Sequence, residues 1–383
     1  MASGGYPRFS AAEMSRRRAA LAAEMDAAGV EHVVVYGADR AGAGVQWLTQ
    51  WPVTREAAVL WSPRREGAVL LVQFANHLDN ARTIADDVEV RWGGTSTFDT
   101  LAALVEDRLP AAARLGVIGP LPAAGARRLA SAGADLVFLD GAFQRLRLVK
   151  SDEELAWVRR GAALTDAAVR AVGAGAGVGT SEAQLGALAE SAYLGEGATN
   201  QIHYFATTSM ASPDTRVPAQ WPSDRRLAEG DVVTCEVSAS WWGYAGQVLR
   251  TFTVAAEPSP LYRRLHDVAV AAYEAVASRI APGVSGADLA EAARVVEAAG
   301  FATCDDVVHG YVGGYLPPVV PGTGREAGHG SFVLQAGMTV VVQPNVVTTD
   351  GRAGVQTGEL LLVTEGGHER LHAFPPGLGR IGP

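Results

Sequence analysis

The chain has 383 residues, 48% of them hydrophobic and 19% charged, with a formal net charge of −9. That length exceeds what one hydrophobic core usually serves, so two domains are expected. The acidic balance argues against a nucleic-acid partner, which requires a basic face. No run of eighteen apolar residues marks a membrane span. The N-terminal MASGGYPRFSAAEM lacks the basic-then-apolar order of a secretory signal, so a cytoplasmic location is expected. Cys235 and Cys304 lie in apolar segments with no CxxC spacing, which predicts buried free thiols.

The first part alternates helix and strand signals. Ser10-x-x-Glu13 is a capping box that opens a helix closed by Gly29. The run Arg16-Arg17-Arg18 on that helix reads as a solvated face. HVVVYG at 32–37 reads as a buried strand, and EAAVLW and AVLLVQ as two strands joined across SPRREG. VEVRW, RLGVIG and ADLVFL follow as strands separated by Ala- and Leu-rich helical stretches. This alternation predicts a small α/β domain over 1–147. GADRAGAG lacks the strand–GxGxxG–helix context of a dinucleotide site, so no such cofactor is expected.

Near residue 147 the pattern changes. Ser151-x-x-Glu154 and Ser181-x-x-Gln184 open two amphipathic helices, and Pro260 and Gly283 frame a third. Ser285 caps a fourth, expected to run to Gly300. QIHYFATTS reads as a strand. DVVTCEVSAS and GYAGQVLRTFTV read as a hairpin turning at Trp241-Trp242, and MTVVVQPN and GELLLVTE as a later pair. Helices backing a curved antiparallel sheet make an α+β domain over 148–383.

The motifs LRLVKSDEELAWVRRGA, LAEGDVV, GYAG followed by Arg250-Thr251-Phe252, GMTVVVQPNV and LLLVTEGG occur in an order and spacing that resemble the pita-bread family. That family includes methionine aminopeptidases, prolidase, aminopeptidase P and creatinase. The resemblance implies a pita-bread domain at 148–383, a creatinase-like N-terminal domain at 1–147, and a homodimer in which one subunit's N-terminal domain lies near the other's active site.

Peptidases of the family place Asp, Asp, His, Glu and Glu at five positions to hold two metal ions. The matching positions here are Glu236, Gln247, His309, Gln343 and Gly358, so only the His is kept. Neutral amides are poor ligands for catalytic divalent ions and glycine offers none, so no metal ion is expected. Glu359 replaces Gly358 only if the strand slips by one residue, which turns its side chain to the other face. The family's upstream His, which creatinase uses as general base, falls at Ala219.

Glu236 and His309 are the titratable pair left, which points to acid–base or nucleophilic work. Gln247 and Gln343 suit a polar small molecule where metals would otherwise sit. Tyr244, Tyr311 and His203 are further candidates for substrate contact, with His203 the best stand-in for the missing base. Arg55 matches a creatinase loop residue and is a candidate carboxylate clamp. His329 is a candidate lid residue. Core packing or a surface ion pair remains the alternative for each.

The expected function is a metal-independent, creatinase-like enzyme acting on a small polar nitrogenous molecule, by C–N hydrolysis. A lyase or isomerase using the same pair, a non-catalytic binding protein, and a peptidase with one unusual metal stand as alternatives.

Overall fold

A computed structural model describes residues 5–64, 67–325 and 332–382. His329 therefore lies outside the described residues. The chain divides into two compact units, Met1–Arg147 and Leu148–Pro383.

In the first unit the elements run α1 (Ala11–Ala27), β1 (His32–Ala38), α2 (Ala43–Thr49), β2 (Glu56–Ser62), β3 (Gly67–Val72), α3 (Leu78–Ile84), β4 (Glu89–Trp92), α4 (Thr97–Arg108), β5 (Arg114–Ile118), α5 (Ala123–Ser131), β6 (Asp135–Phe138) and α6 (Asp140–Leu146). The strands form one mixed sheet in the order β4-β3-β2-β1-β5-β6. Ser10 caps α1 by accepting from the Glu13 amide. The basic run on α1 is not a solvated face throughout. Arg17 is fully buried, ion-paired to Glu13 at 2.7 Å and laid over the Phe9 ring at 3.9 Å. A buried guanidinium needs both charge and π partners to offset its desolvation, and it finds them here.

The second unit contains α7 (Asp152–Gly175), α8 (Glu182–Ser191), β7 (Thr199–Ser209), β8 (Asp231–Trp241), β9 (Tyr244–Ala245), β10 (Val248–Val254), α9 (Pro260–Ala277), α10 (Gly286–Ala293), α11 (Val295–Ala298), β11 (Ala302–Thr303), β12 (Val308–Tyr311), β13 (Tyr315–Val320), β14 (Thr339–Val342), β15 (Val346–Val347), β16 (Gly354–Val355), β17 (Gly358–Thr364), β18 (Gly367–Arg370) and β19 (Gly379–Ile381). Complete capping boxes open α7 and α8. The fourth predicted helix breaks at Arg294 into α10 and α11 rather than running unbroken to Gly300.

The main sheet runs β13-β12-β14-β17-β10-β8-β7. Trp242 and Gly243 turn the chain from β8 to β9 with φ of 51° and 81°, the pair of left-handed residues that a tight hairpin needs. Val233, Cys235, Val237 and Ala239 of β8 pack with Val169 and Val172 of α7 and Leu185 of α8. Alternation then turns Thr234, Glu236, Ser238 and Ser240 to the opposite face. Glu182 ties the loop after β7 to the sheet: its carboxylate accepts from the Thr207 amide (3.1 Å) and hydroxyl (2.7 Å) and from the Ser223 amide and hydroxyl (both 2.7 Å). No helix of the described residues is long and apolar enough to cross a membrane.

Candidate active site

Register gathers the five positions along neighbouring strands of the second unit. Leu249 of β10 pairs with Glu236 on one side and Gly358 on the other. Val342 pairs with Glu359, which brings Gln343 beside Gly358, and His309 pairs with Val341. Residues paired across a ladder, or two apart on one strand, share a face. Glu236, Gln247, Gly358, Gln343 and His309 therefore lie on one face of the sheet.

Two amide–titratable pairs occupy that face. The Gln247 side-chain N–H donates to Glu236 Oε1 through a short bond. Gln343 Oε1 lies 3.3 Å from His309 Nε2, while its amide N–H donates to the Asp306 carbonyl at 3.2 Å. His309 Nδ1 lies 3.0 Å from the Gly310 carbonyl. Both ring nitrogens thus face acceptors, and a neutral ring can donate to only one of them. His309 is buried, stacked on Tyr315 with ring centroids 4.2 Å apart and edge-on to Tyr311 at 5.9 Å.

Burial pushes Glu236 up from 4.5 to about 7, helped by the Asp305 carboxylate and opposed by the Gln247 hydrogen bond. The Glu236 side chain still keeps an edge open to water. Burial holds His309 below its usual range, against the pull of Gly310, Gln343, Asp305 and Asp306. Near neutral pH the pair is therefore a carboxyl close to its titration midpoint and an uncharged imidazole.

Several buried polar atoms around Glu236 have no hydrogen-bond partner among the described residues: Gln247 Oε1, Ser238 Oγ and the Tyr311 hydroxyl. Burial raises the Tyr311 hydroxyl well above its ordinary value; Ser238 lies close enough to oppose that shift, yet the two close no bond of ordinary geometry. Unsatisfied buried polar groups are costly and uncommon, and here three of them share the face that carries Glu236.

The structure corrects two candidate contacts. His203 pairs with Val237, and Val237 lies in the core against α7 and α8. His203 is held there by Tyr193 (3.1 Å), Asn200 (3.2 Å) and Glu190 (3.5 Å), with burial lowering its pKa to about 4. The β7 residue paired with Glu236 is Tyr204. Tyr244 is the second correction, since its hydroxyl donates at 2.9 Å to Glu154 in the first turn of α7 and its ring packs edge-on against Trp157. Tyr244 therefore serves the helix–sheet packing. Tyr311 lies on the site face. Arg55 is exposed in the first unit.

The choice between Gly358 and Glu359 is settled by their partners. Glu359 is buried on the other face, where it accepts from Arg250 (2.6 Å), Tyr273 (3.0 Å) and Arg370. Arg250 also donates to the Gly358 carbonyl at 2.6 Å, so its role is structural. A Cβ on Gly358 would stand 2.3 Å from the Val342 carbonyl oxygen, so the backbone there leaves no room for a side chain. Gly310 and Gly313 serve close backbone packing too, against the carbonyls of Pro317 and Gly243.

These residues do not fit a two-ion centre. The shared face supplies one carboxylate and one imidazole, and its nearest amide presents N–H to the carboxylate. Among the described residues no three His, Cys, Asp or Glu side chains are grouped to hold a metal ion. Sequence reasoning also missed Ser238, Tyr204, Asp305 and Asp306. Ser238 was within reach, being two residues from Glu236 on a strand, and Asp305-Asp306 directly precede the His309 strand.

Comparison with known proteins bears on the same region. The model of metallopeptidase family M24 matches residues 156–365. An uncharacterized peptidase of Bacillus subtilis, YqhT, is 26% identical over 257 residues, covering 63% of this chain and 67% of that one. The Xaa-Pro dipeptidase of Pyrococcus furiosus is 24% identical over 234 residues, covering 61% and 65%. The chain thus spans about two thirds of the length of these relatives. Among solved structures, an Xaa-Pro dipeptidase from Bacillus anthracis superposes with a TM-score of 0.81 at 22% identity, over 96% of this chain and all of that one. That agreement over both units shows the pita-bread fold with its N-terminal α/β domain.

Proposed function

Since the chain belongs to metallopeptidase family M24, a family of peptidase-like hydrolases, we propose that it is a hydrolase of this kind that works without a metal ion. Its substrate would be a small polar nitrogenous molecule and its reaction cleavage of a C–N bond. The observation that carries this reading is Glu236. Its carboxyl, pushed up to about 7 by burial, shares a sheet face with an uncharged His309 and with buried polar atoms that have no partner among the described residues. A general base works best with a pKa near the working pH.

In this reading water adds to the carbon of the C–N bond and its proton passes to the Glu236 carboxylate. The bond to nitrogen then breaks, and the protonated Glu236 returns its proton to the leaving amine, directly or relayed through His309. Gln247 and Gln343 orient the carboxyl and the imidazole. Two further expectations belong to the same proposal: a homodimer, and Arg55 as a clamp for a substrate carboxylate.

Metal content and turnover test it together. Purified protein screened against amides, amidines and dipeptides should turn over at least one of them in excess EDTA. Glu236→Gln and His309→Ala should each lower kcat by about 100-fold or more. Near-stoichiometric bound metal, or activity lost to EDTA and restored by manganese, cobalt or zinc, overturns the metal-free reading. A second reading, proton transfer by the same pair in a lyase or isomerase, is favoured by Ala219, which leaves no side-chain base at that place to activate water. Product analysis in H₂¹⁸O separates the two, because only hydrolysis incorporates the label.

A further inference from the structure

Away from Glu236, the second unit holds a cavity of about 310 Å³ between the first turns of α9, the end of β10 and strand β19. That is the small end of the size range of ligand pockets. Its walls include Pro258, Arg263, His266, Asp267, Leu378 and Arg380. Helix α9 packs behind the sheet, where its Tyr273 donates to Glu359, the residue turned away from the candidate active site. His266 precedes Tyr273 by two turns on the same side of the helix. The cavity is therefore separate from the face that carries Glu236 and His309.

Three groups on one side of α9 reach this cavity with their polar ends uncommitted. Arg263, His266 and Asp267 stand at i, i+3 and i+4, the spacing that gathers side chains on a helix surface. His266 is more than nine-tenths buried, and its Nε2 has no partner among the described residues. The ring bonds the Gly377 backbone, which assigns that bond to Nδ1 and leaves the lone pair of the neutral ring on Nε2. Burial holds this imidazole below its usual range, against the pull of Asp267 and with help from Arg250. An acceptor buried without a donor is costly.

The charges around that nitrogen are left apart. Arg263 lies 3.9 Å from Glu257, too far for a hydrogen bond, and Arg380 takes the other oxygen of that carboxylate at 3.0 Å. Asp267 is exposed and, among the described residues, closes no ion pair, although its i,i+4 spacing from Arg263 allows one. A guanidinium fork thus faces one end of the cavity, and a carboxylate beside a lone pair faces the other. A plain anion meets Asp267 and Glu257 here, and a plain cation meets Arg263 and Arg380. A molecule carrying both charges satisfies both ends.

We propose that this cavity is a second ligand site, which takes a small zwitterion of the free amino-acid class. The ligand's carboxylate lies on Arg263, its ammonium donates to Asp267 and to His266 Nε2, and an aliphatic side chain packs on Pro258 and Leu378. The proposal does not depend on the reaction carried out on the other face of the sheet.

The test is isothermal titration of the whole chain, kept in EDTA at pH 7.5 and fixed ionic strength, with L-leucine, 4-methylpentanoate and 3-methylbutylammonium. The last two are leucine without its amino group and leucine without its carboxylate. Leucine should bind about tenfold tighter than either. Arg263→Gln should erase its advantage over 3-methylbutylammonium, and Asp267→Asn its advantage over 4-methylpentanoate. Both positions are exposed on a helix, and melting temperatures that match the parent's show that lost binding is not lost folding. Glu236→Gln, on the far face, should leave leucine affinity as it was. No leucine binding at millimolar concentration, equal binding of the three probes, or leucine binding that survives Arg263→Gln and Asp267→Asn overturns the proposal. Leucine binding lost in Glu236→Gln overturns it too, by placing the ligand on the other face.

Discussion

Replacing Glu236 by glutamine should change how stability depends on pH while leaving stability at acid pH nearly as it was. Glutamine has the shape of the protonated acid and can still accept the Gln247 hydrogen bond. In the folded protein Glu236 titrates near 7 instead of its ordinary 4.5, so the native state binds its proton more tightly than the unfolded chain does. A carboxyl raised in this way contributes stability that is complete below pH 4.5 and is lost as pH rises through 7. The interval between the two values corresponds to about 3 kcal/mol. The carboxyl edge that water still reaches brings the expectation down to about 2 kcal/mol. Urea denaturation of both proteins at pH 5, 6, 7 and 8 measures it. The stability difference, variant minus parent, should lie near its minimum at pH 5 and rise by about 2 kcal/mol in favour of glutamine by pH 8, because every other titrating group cancels in the subtraction. A difference that stays flat across this range refutes the argument that burial raises Glu236.

Other substitutions probe the rest of the site and its supports. His203, held near 4 by burial, contributes stability that is present above pH 6.5 and lost as pH falls through 4; His203→Asn should flatten that acid limb by about 3 kcal/mol in denaturation curves while leaving ligand affinity intact. Gly358→Glu should not create a metal site, because its Cβ meets the Val342 carbonyl at 2.3 Å; metal analysis after dialysis against manganese or zinc should find none retained, and stability should fall by about 1–3 kcal/mol. Glu182→Gln leaves one oxygen to serve four donors on Thr207 and Ser223, so it should cost about 2–3 kcal/mol and open the loop after β7 to protease. Tyr244→Phe should cost about 1 kcal/mol through the lost bond to Glu154, with no effect on ligand binding.

Local signals with their own chemistry were readable in the sequence. Ser10, Ser151, Ser181 and Ser285 all cap helices where the Ser-x-x-acid or Ser-x-x-amide pattern placed them. The motif order named the fold, and a single pairing between β10 and β17 then fixed which of Gly358 and Glu359 faces the site. Features that depend on distant partners were not readable. Arg17 reads as solvent-facing until Phe9 and Trp47 close over it. Tyr244 reads as a pocket residue until Glu154, ninety positions earlier, takes its hydroxyl. Strict alternation along β7 also fails, because its register against β8 shifts between Asn200 and Ile202.

That shift reaches further than a misread strand. Counting from Thr199 opposite Ser240, an uninterrupted ladder would set His203 across from Glu236, and the single extra residue at the bulge sets Tyr204 there instead. One insertion thus decides whether an imidazole or a phenol confronts the carboxylate, with no change in the identity of either residue. Point substitutions alter one group at a time. Removing Gln201 would only close the bulge and keep Tyr204 across from Glu236, whereas one further paired residue inserted there would bring His203 opposite it. A short insertion in this strand can therefore exchange the chemistry of the pocket in one event, which makes the length of β7 a trait that selection can act on separately from its composition.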